Sequence, residues 1–440
     1  MKLASFIGGI HPKEGKDLSK DKPILPILPG KEMVYLLSQH IGAPAKAIVK
    51  KGDRVLVGQQ IAQANGFVSS PVYSTVSGLV KGLEKRLSVV GTMQDAIIVE
   101  NDELYEEVDY EPLKNPKEVS KEEILKRIAK AGVVGMGGAG FPTHVKLSPK
   151  EPEKIDYVIV NGAECEPYLT SDYRRMLEEP EKIIEGLKYI LMLFDNAKGY
   201  IAIENNKPDC IAKIKELVKN EDRIEVKALK TKYPQGAERQ LIYATTKRLI
   251  NSSMLPADAG CVVDNVDTVV AVYHAVCLGR PLMHRIVTVT GDAIKEARNF
   301  LVPVGSNYKD LISQAGGFIK EAKKIVSGGP MMGFALFDLD LPVTKTSSAL
   351  LCFSEDEVSK EEESNCINCG QCVKVCPGRV VPARLAAYAN RGDVENFEKY
   401  EGMECCECGC CSYVCPAKRQ LTQSIKSMRK IILANRKKKA

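Results

Sequence analysis

The sequence predicts a multidomain α/β protein that ends in a cysteine-rich, α-helical module. Three observations carry this. Short alternating strand patterns split by turns fill residues 31–101, as in a small all-β unit. Strand-like and helical stretches alternate from about 155 to 285, as in a parallel sheet covered by helices. Near the end stand two four-cysteine runs, Cys366-x2-Cys369-x2-Cys372-x3-Cys376-Pro377 and Cys405-x2-Cys408-x2-Cys411-x3-Cys415-Pro416.

The 440 residues suggest about three domains with ample core. Hydrophobic content of 44% and charge of 27% are those of an ordinary globular chain. No apolar run reaches the ~18 residues of a membrane helix. The start, Met1-Lys2-Leu3-Ala4-Ser5-Phe6, lacks a signal-peptide core. A cytoplasmic location is expected, with docking on a membrane complex left open. Cys165, Cys210, Cys261, Cys277 and Cys352 are scattered as buried free thiols would be in a reducing compartment. The net charge of +6 gathers in the tail at Lys426, Arg429, Lys430, Arg436, Lys437, Lys438 and Lys439. That tail reads as a solvated, frayed end or as an attraction to an anionic bilayer or acidic partner. No recognition motif or aromatic platform accompanies the charge, so nucleic acid is not expected.

In order along the chain, residues 1–30 form an extended arm punctuated by Pro23, Pro26 and Pro29. Residues 31–101 form the all-β unit, and 102–118 an acidic linker. Ser120-Lys121-Glu122-Glu123 is a capping box opening a helix that Gly132 can stop. An α/β domain spans 119–283. It has strands at 157–160, 199–203 and 224–226, and helices at 180–194, 208–220, 235–250 and 265–278. A second β-rich region spans 284–350, with a strand at 285–291 and a short helix at 308–315. The cysteine module spans 360–425, its runs joined by a helix near 378–400, and the basic tail spans 426–440.

Each cysteine run has the spacing of a bacterial ferredoxin 4Fe-4S site. Three thiolates wrap one cluster and the fourth, before proline, reaches the other. The expected ligand sets are Cys366, Cys369, Cys372 and Cys415, and Cys405, Cys408, Cys411 and Cys376. Zinc prefers Cys-x2-Cys pairs closed by a distant pair, and neither zinc nor disulfides explain two identical runs ending in Cys-Pro. Cys406 and Cys410 fall off the spacing and read as packing or hydrogen bonding beside a cluster.

The stretch Gly135-Met136-Gly137-Gly138-Ala139-Gly140-Phe141-Pro142-Thr143-His144-Val145-Lys146 satisfies G-x-G-x-x-G. A dinucleotide fingerprint needs a strand before it and a helix after it. Here a helix precedes and Pro142 follows, so this is no ordinary Rossmann turn. Its four glycines still allow a ligand close to the backbone N–H groups, with Lys146 as a cation; a tight structural loop is the alternative. Asn161-Gly162-Ala163-Glu164-Cys165-Glu166-Pro167 follows a buried strand, where α/β sheets bind ligands; its two acids read either as partners for ribose or ribityl hydroxyls or as solvated turn residues. Lys232-Tyr233-Pro234-Gln235-Gly236-Ala237-Glu238-Arg239 and Asp264-Asn265-Val266-Asp267-Thr268 each open a helix. Of the histidines, none has metal spacing; His274, on an apolar helix, reads as core or a subunit contact, and His144 lies near the glycine loop.

These segments, in this order, resemble the flavin-binding 51 kDa subunit of NADH:quinone oxidoreductase. That family carries G-x-G-G-x-G-F-P-T-x-x-K, N-A-D-E-S-E-P, Y-x-x-G-E-E and N-N-V-E-T. This chain departs from it at Ala163, Ala237 and Asp264. Gly8-Gly9-Ile10-His11-Pro12 and the double cysteine run resemble more closely the RnfC family of the Rnf electron transport complex, over essentially the whole chain. The series through Lys51-Gly52-Asp53 and Val76-Ser77-Gly78 resembles the barrel-sandwich hybrid of lipoyl domains. The tip at Asn65-Gly66-Phe67-Val68-Ser69 lacks the modifiable lysine. Residues 284–335 resemble an SLBB (β-grasp) region.

The resemblance implies FMN contacts at Gly135, Gly137, Lys146, Asn161, Glu164, Tyr233, Gly236, Asn265 and Thr268. It implies an NADH side at Gly138, Gly140, Phe141, Glu166 and Glu238, with Glu166 and Phe141 positioning NADH. The expected activity is hydride transfer between NADH and FMN, then one-electron transfer through two 4Fe-4S clusters, with no acid–base residue. The expected partners are the iron–sulfur and membrane subunits of an ion-translocating ferredoxin:NAD+ oxidoreductase, with this chain peripheral on the cytoplasmic side. Two other readings stay open: the cobalamin reductase of diol-utilisation microcompartments, whose glycine loop lies nearer its N-terminus, and a non-catalytic iron–sulfur adaptor.

Overall fold

The computed structural model describes residues 3–115 and 118–439. Met1 and Lys2 of the arm, Pro116 and Lys117 of the linker, and the side chains of Lys437, Lys438 and Lys439 lie outside the described residues, as does Ala440. The expected fold class is present: a barrel-sandwich hybrid, a central α/β unit, a β-grasp sheet and a helical cysteine module.

In the hybrid, strands Glu32–Leu36, Met93–Asn101, Gly78–Leu87 and Arg54–Val55 form one sheet. Lys46–Ala47, Gln60–Gln63 and Val72–Tyr73 form the other. Alternate residues face inward, so Met33, Tyr35, Val55, Ile61, Val72, Val80, Ile97 and Val99 share one core.

The central sheet runs Ile224–Leu229, Lys198–Glu204, Tyr157–Gly162, Cys261–Asn265, all parallel. All four carboxyl ends therefore open to one side. Helices Pro180–Leu191 and Val266–Leu278 cover one face. Gly186 lets them touch closely, since a Cβ there would strike the Val269 carbonyl. Helix Lys121–Lys130 starts where Ser120 Oγ accepts from Glu123 N at 3.2 Å. The reciprocal half of the box is replaced, because the Glu123 carboxylate accepts from Arg127 Nε at 2.9 Å.

The β-grasp sheet contains His284–Thr290, Arg298–Pro303, Lys324–Ser327, Phe334–Ala335 and Ala349–Phe353. The arm supplies its edge through Leu25–Pro26, parallel to Arg298–Pro303. Earlier in the arm, Ala4 bridges to Leu229 and Ile10 to Tyr233 in the central domain.

In the cysteine module the helical stretch expected near 378–400 is two helices, Pro382–Arg391 and Val394–Lys399. Gly392, at φ +71°, ends the first. The final helix, Leu421–Lys439, buries Ile425, Met428 and Ile432 against Leu385, Ala386 and Phe397. Its cations are partly spent within the fold: Arg429 and Lys426 pair with Glu407, and Arg436 pairs with Glu398. Among the described residues no helix is long and apolar enough to cross a membrane.

Candidate flavin site and cysteine cavities

The glycine loop is tied down at its ends and open at its tip. Gly135 N donates to Phe141 O at 2.8 Å, and Met136 N to Thr268 Oγ1 at 3.0 Å. Gly137 lies against Asn265, where a Cβ would approach Asn265 Cβ to 2.8 Å, whereas Gly138 faces open space. Gly137, Gly138 and Ala139 are exposed. Gly140, at φ +73°, packs on the Gln39 carbonyl and His40 of the hybrid, and Ile41 N donates to its carbonyl at 3.2 Å. The hybrid tip also reaches this region: His144 Nε2 lies 3.0 Å from Phe67 O, with the rings edge to face. His144 is thus a docking contact between the hybrid and the helix Thr143–Lys146.

Lys146 Nζ donates to Val263 O at 2.7 Å and lies 3.6 Å from Asp264 and 3.7 Å from Glu238. Burial pushes the carboxyls of Asp264 and Glu238 up, and the Lys146 ammonium opposes this. Asn161 Nδ2 donates to Gly236 O at 2.8 Å, and its Oδ1 accepts from Ala163 N. Gly236 packs against Ala163, Asn161 and Cys165. Asn265 caps its helix through Asp267 N and donates to Asp172 at 2.6 Å. Phe141 is half-buried beside the loop.

The two acids after the first strand turn into the protein. Glu164, at φ +48°, accepts from Asp172 N at 2.7 Å and faces Lys16 at 3.6 Å. Glu166 accepts from Met331 N at 3.1 Å, and burial pushes its carboxyl up to about 7. Lys16 of the arm was not foreseen. Its Nζ donates to the carbonyls of Glu164 (2.9 Å), Glu166 (3.0 Å) and Leu169, which fixes this loop. The partners lie about 150 positions apart in sequence, so no local signal announces them.

Several buried polar atoms around these segments have no hydrogen-bond partner: Glu164 Oε2, Glu166 Oε1, Tyr233 OH, both side-chain polar atoms of Gln235 and both carboxylate oxygens of Asp264. Unpaired buried polar groups are costly. Their gathering at the carboxyl ends of a parallel sheet beside a glycine loop fits a polar, hydroxyl- and phosphate-bearing ligand.

The cysteines converge on two cavities. One is lined by Cys366, Cys369, Cys372 and Cys415, with Ile367 and Arg419. The other is lined by Cys376, Cys405, Cys408 and Cys411, joined by Cys406 and Cys410. Among the described residues no three of His, Cys, Asp or Glu converge tightly enough for a single metal ion. Each cavity carries four of the expected thiols, the ligand number of a 4Fe-4S cluster. Cys366 and Cys369 are exposed, whereas Cys408, Cys410 and Cys411 are buried. The second cavity abuts the α/β domain: Tyr233, Ile10, Cys408 and Cys410 share an apolar cluster with Cys165 and Met331. Arg239 Nη1 donates to Glu404 at 2.9 Å, one residue before Cys405, and Ser252 N donates to the same carboxylate at 2.8 Å.

Four family models match this chain. The Nuo51 FMN-binding domain matches residues 128–274 and the RnfC barrel sandwich hybrid domain residues 4–104. The SLBB domain matches 286–335 and the 4Fe-4S binding domain 360–381. The chain is 44% identical over 441 residues to the C subunit of the Na(+)-translocating ferredoxin:NAD(+) oxidoreductase complex of Acetobacterium woodii, covering 100% of this chain and 99% of that protein. It is 45% identical to the C subunit of the proton-translocating ferredoxin:NAD(+) oxidoreductase complex of Clostridium ljungdahlii, covering 97% and 94%. It is 36% identical to the C subunit of the ion-translocating oxidoreductase complex of Haemophilus influenzae, over 91% of this chain but 62% of that longer protein. An air-oxidised NAD+-reducing NiFe hydrogenase structure is similar in fold, with a TM-score of 0.50 and 21% identity over 64% of this chain and 54% of its own.

Proposed function

The chain belongs to the RnfC family of ion-translocating oxidoreductase complexes, and from that premise we propose that it is the NADH-oxidising, NAD+-reducing subunit of a ferredoxin:NAD+ oxidoreductase. Its cofactors are FMN and 4Fe-4S clusters, with NAD(H) as the soluble redox partner. When bound, FMN exchanges a hydride with NADH and single electrons with iron–sulfur clusters, which is the conversion the two ends of this chain require.

The reading rests on one juxtaposition: a sheet end rimmed with orphaned polar atoms stands directly against a cavity lined by Cys376, Cys405, Cys408 and Cys411. In this reading Gly135, Gly137, Lys146, Asn161, Glu164, Tyr233, Gly236, Asn265 and Thr268 hold FMN. Gly138, Gly140, Phe141, Glu166 and Glu238 form the NADH side. The exposed loop tip leaves room for the dinucleotide, and Lys146 offers a cation to the flavin side. The hybrid and the Lys16-braced loop exclude water from the rest of the site. The cluster held by Cys376, Cys405, Cys408 and Cys411 is the nearer relay. The cluster held by Cys366, Cys369, Cys372 and Cys415, with two exposed ligands, is the outlet to the rest of the complex. The protein sits peripherally at the cytoplasmic face of the membrane.

Anaerobic reconstitution with iron, sulfide and FMN, followed by NADH, tests this. Retained flavin that bleaches with NADH, with cluster reduction after it, is expected. No retained flavin and no NADH-dependent reduction would refute the reading.

A further inference from the structure

The N-terminal arm threads the junction between the sheet end and the second cysteine cavity. Lys232 Nζ donates to the carbonyls of Phe6 at 2.6 Å and Gly8 at 3.0 Å, and stands 3.8 Å from the Phe6 ring centre. The arm is therefore anchored on the segment that carries Tyr233. Tyr233 and Ile10 exchange both backbone hydrogen bonds, at 2.8 and 2.9 Å. One residue earlier, Gly9 N donates to Val375 O at 2.8 Å, immediately before Cys376. Residues 8–10 thus form a strap hydrogen-bonded to Tyr233 on one side and to the cysteine module on the other.

The strap leaves no room for side chains at its glycines. Both have left-handed backbones, φ +86° at Gly8 and +83° at Gly9, which favour glycine. A Cβ on Gly8 would stand 2.9 Å from Val375 O and 3.0 Å from Cys376 O; one on Gly9 would stand 2.7 Å from Tyr233 O. The Tyr233 carbonyl also receives Cys410 Sγ at 3.9 Å. The two walls of the junction are held at backbone contact.

We propose that Gly8, Gly9 and Ile10 are positioning residues that set the separation between the flavin site and the cluster ligand Cys376, and with it the rate at which electrons cross. This rests on the flavin and cluster reading above. Each crossing removes one electron from the NADH-reduced flavin site and adds one to the oxidised cluster; the strap makes and breaks no bond. Electron transfer weakens steeply with distance, so a side chain that wedges the walls apart slows the crossing without touching either cofactor.

The test is rapid mixing of the reconstituted full chain with NADH, reading flavin bleaching optically and cluster reduction by freeze-quench EPR. It compares Gly8→Ala and Lys232→Met with wild type, after iron and flavin contents have been measured. Lys232→Met loosens the strap without a backbone clash, so it carries the test if Gly8→Ala folds poorly. Bleaching at the wild-type rate with cluster reduction slowed about tenfold or more is expected for Gly8→Ala, with a smaller slowing for Lys232→Met. Cluster reduction at the wild-type rate in both variants would overturn the proposal, as would equal slowing of both phases. Failure of wild type itself to bleach would instead refute the flavin reading.

Discussion

Lys345 Nζ donates to the carbonyl oxygen of Gly132 at 2.7 Å, joining the β-grasp domain to the residue three positions before the glycine loop. The same ammonium donates to Pro71 O at 2.6 Å and Ser70 Oγ at 3.0 Å in the hybrid. One buried cation therefore fixes three domains around the loop.

Burial pushes the Lys345 ammonium down to about 7. An unfolded lysine titrates near its ordinary value of ~10.4. Between these limits the unfolded chain binds more protons, so this group's contribution to stability rises with pH. Lys345→Met leaves the buried Pro71 carbonyl unpaired, while Gly132 O keeps the Ser70 hydroxyl as donor at 3.0 Å, and should cost about 2 kcal/mol. Denaturant titrations should show that cost growing from pH 7 to pH 10; a constant cost would contradict the assignment.

Asp264 is fully buried, its carboxylate has no hydrogen bond, and Lys146 stands beside it. Removing one partner of a buried pair strands the other charge. Lys146→Met should destabilise by about 3 kcal/mol and weaken flavin retention. The double variant with Asp264→Asn should recover most of the stability but not the flavin. Additive losses in a double-mutant cycle would show that the two do not interact.

Glu166 behaves in the opposite sense to Lys345. Its carboxyl is pushed up to about 7 by burial, above the ~4.3 of an exposed glutamate. Between these values the folded chain binds more protons, so stability falls as pH rises. Glu166→Gln keeps an acceptor for Met331 N and should raise the melting temperature at pH 8 more than at pH 5.5. In the proposed site it should also slow flavin reduction by NADH while iron content stays unchanged.

Much of this was legible in the sequence because its causes are local. The run at 157–160 is continuously apolar and forms a central strand. The cysteine spacing is a property of two short loops, and their side chains line two separate cavities. What was missed has either too short a local signal or distant partners. The strand Cys261–Asn265 is short and ends in Asp264 and Asn265, so its pattern is too brief to distinguish from a turn. Gly392 splits a helix that periodicity alone continues. Glu164 and Glu166 read as ligand groups or solvated turn residues, and the sequence did not announce that Lys16 and Met331 N would hold their loop and carboxylate within the fold. Lys16 and Lys345 carried no motif at all, since a lysine's burial is decided by the carbonyls that other domains bring to it.

Glu404 gathers Arg239, Ser252 N and Ser252 Oγ just before Cys405. Glu404→Ala should loosen the cysteine module from the α/β domain. Limited proteolysis within 355–364 should quicken while iron content holds; an unchanged digestion rate would mean that the apolar cluster around Tyr233 suffices for docking.

The proposed order of the relay is tested most directly by Cys408→Ser, which removes one of the thiols that line the inner cavity. After anaerobic reconstitution and NADH addition, flavin should bleach as in wild type. The cluster proposed for the cavity of Cys366, Cys369, Cys372 and Cys415 should stay oxidised by freeze-quench EPR over the wild-type time course. Reduction of that cluster at the wild-type rate would contradict the path from flavin site to inner cluster to exposed outlet.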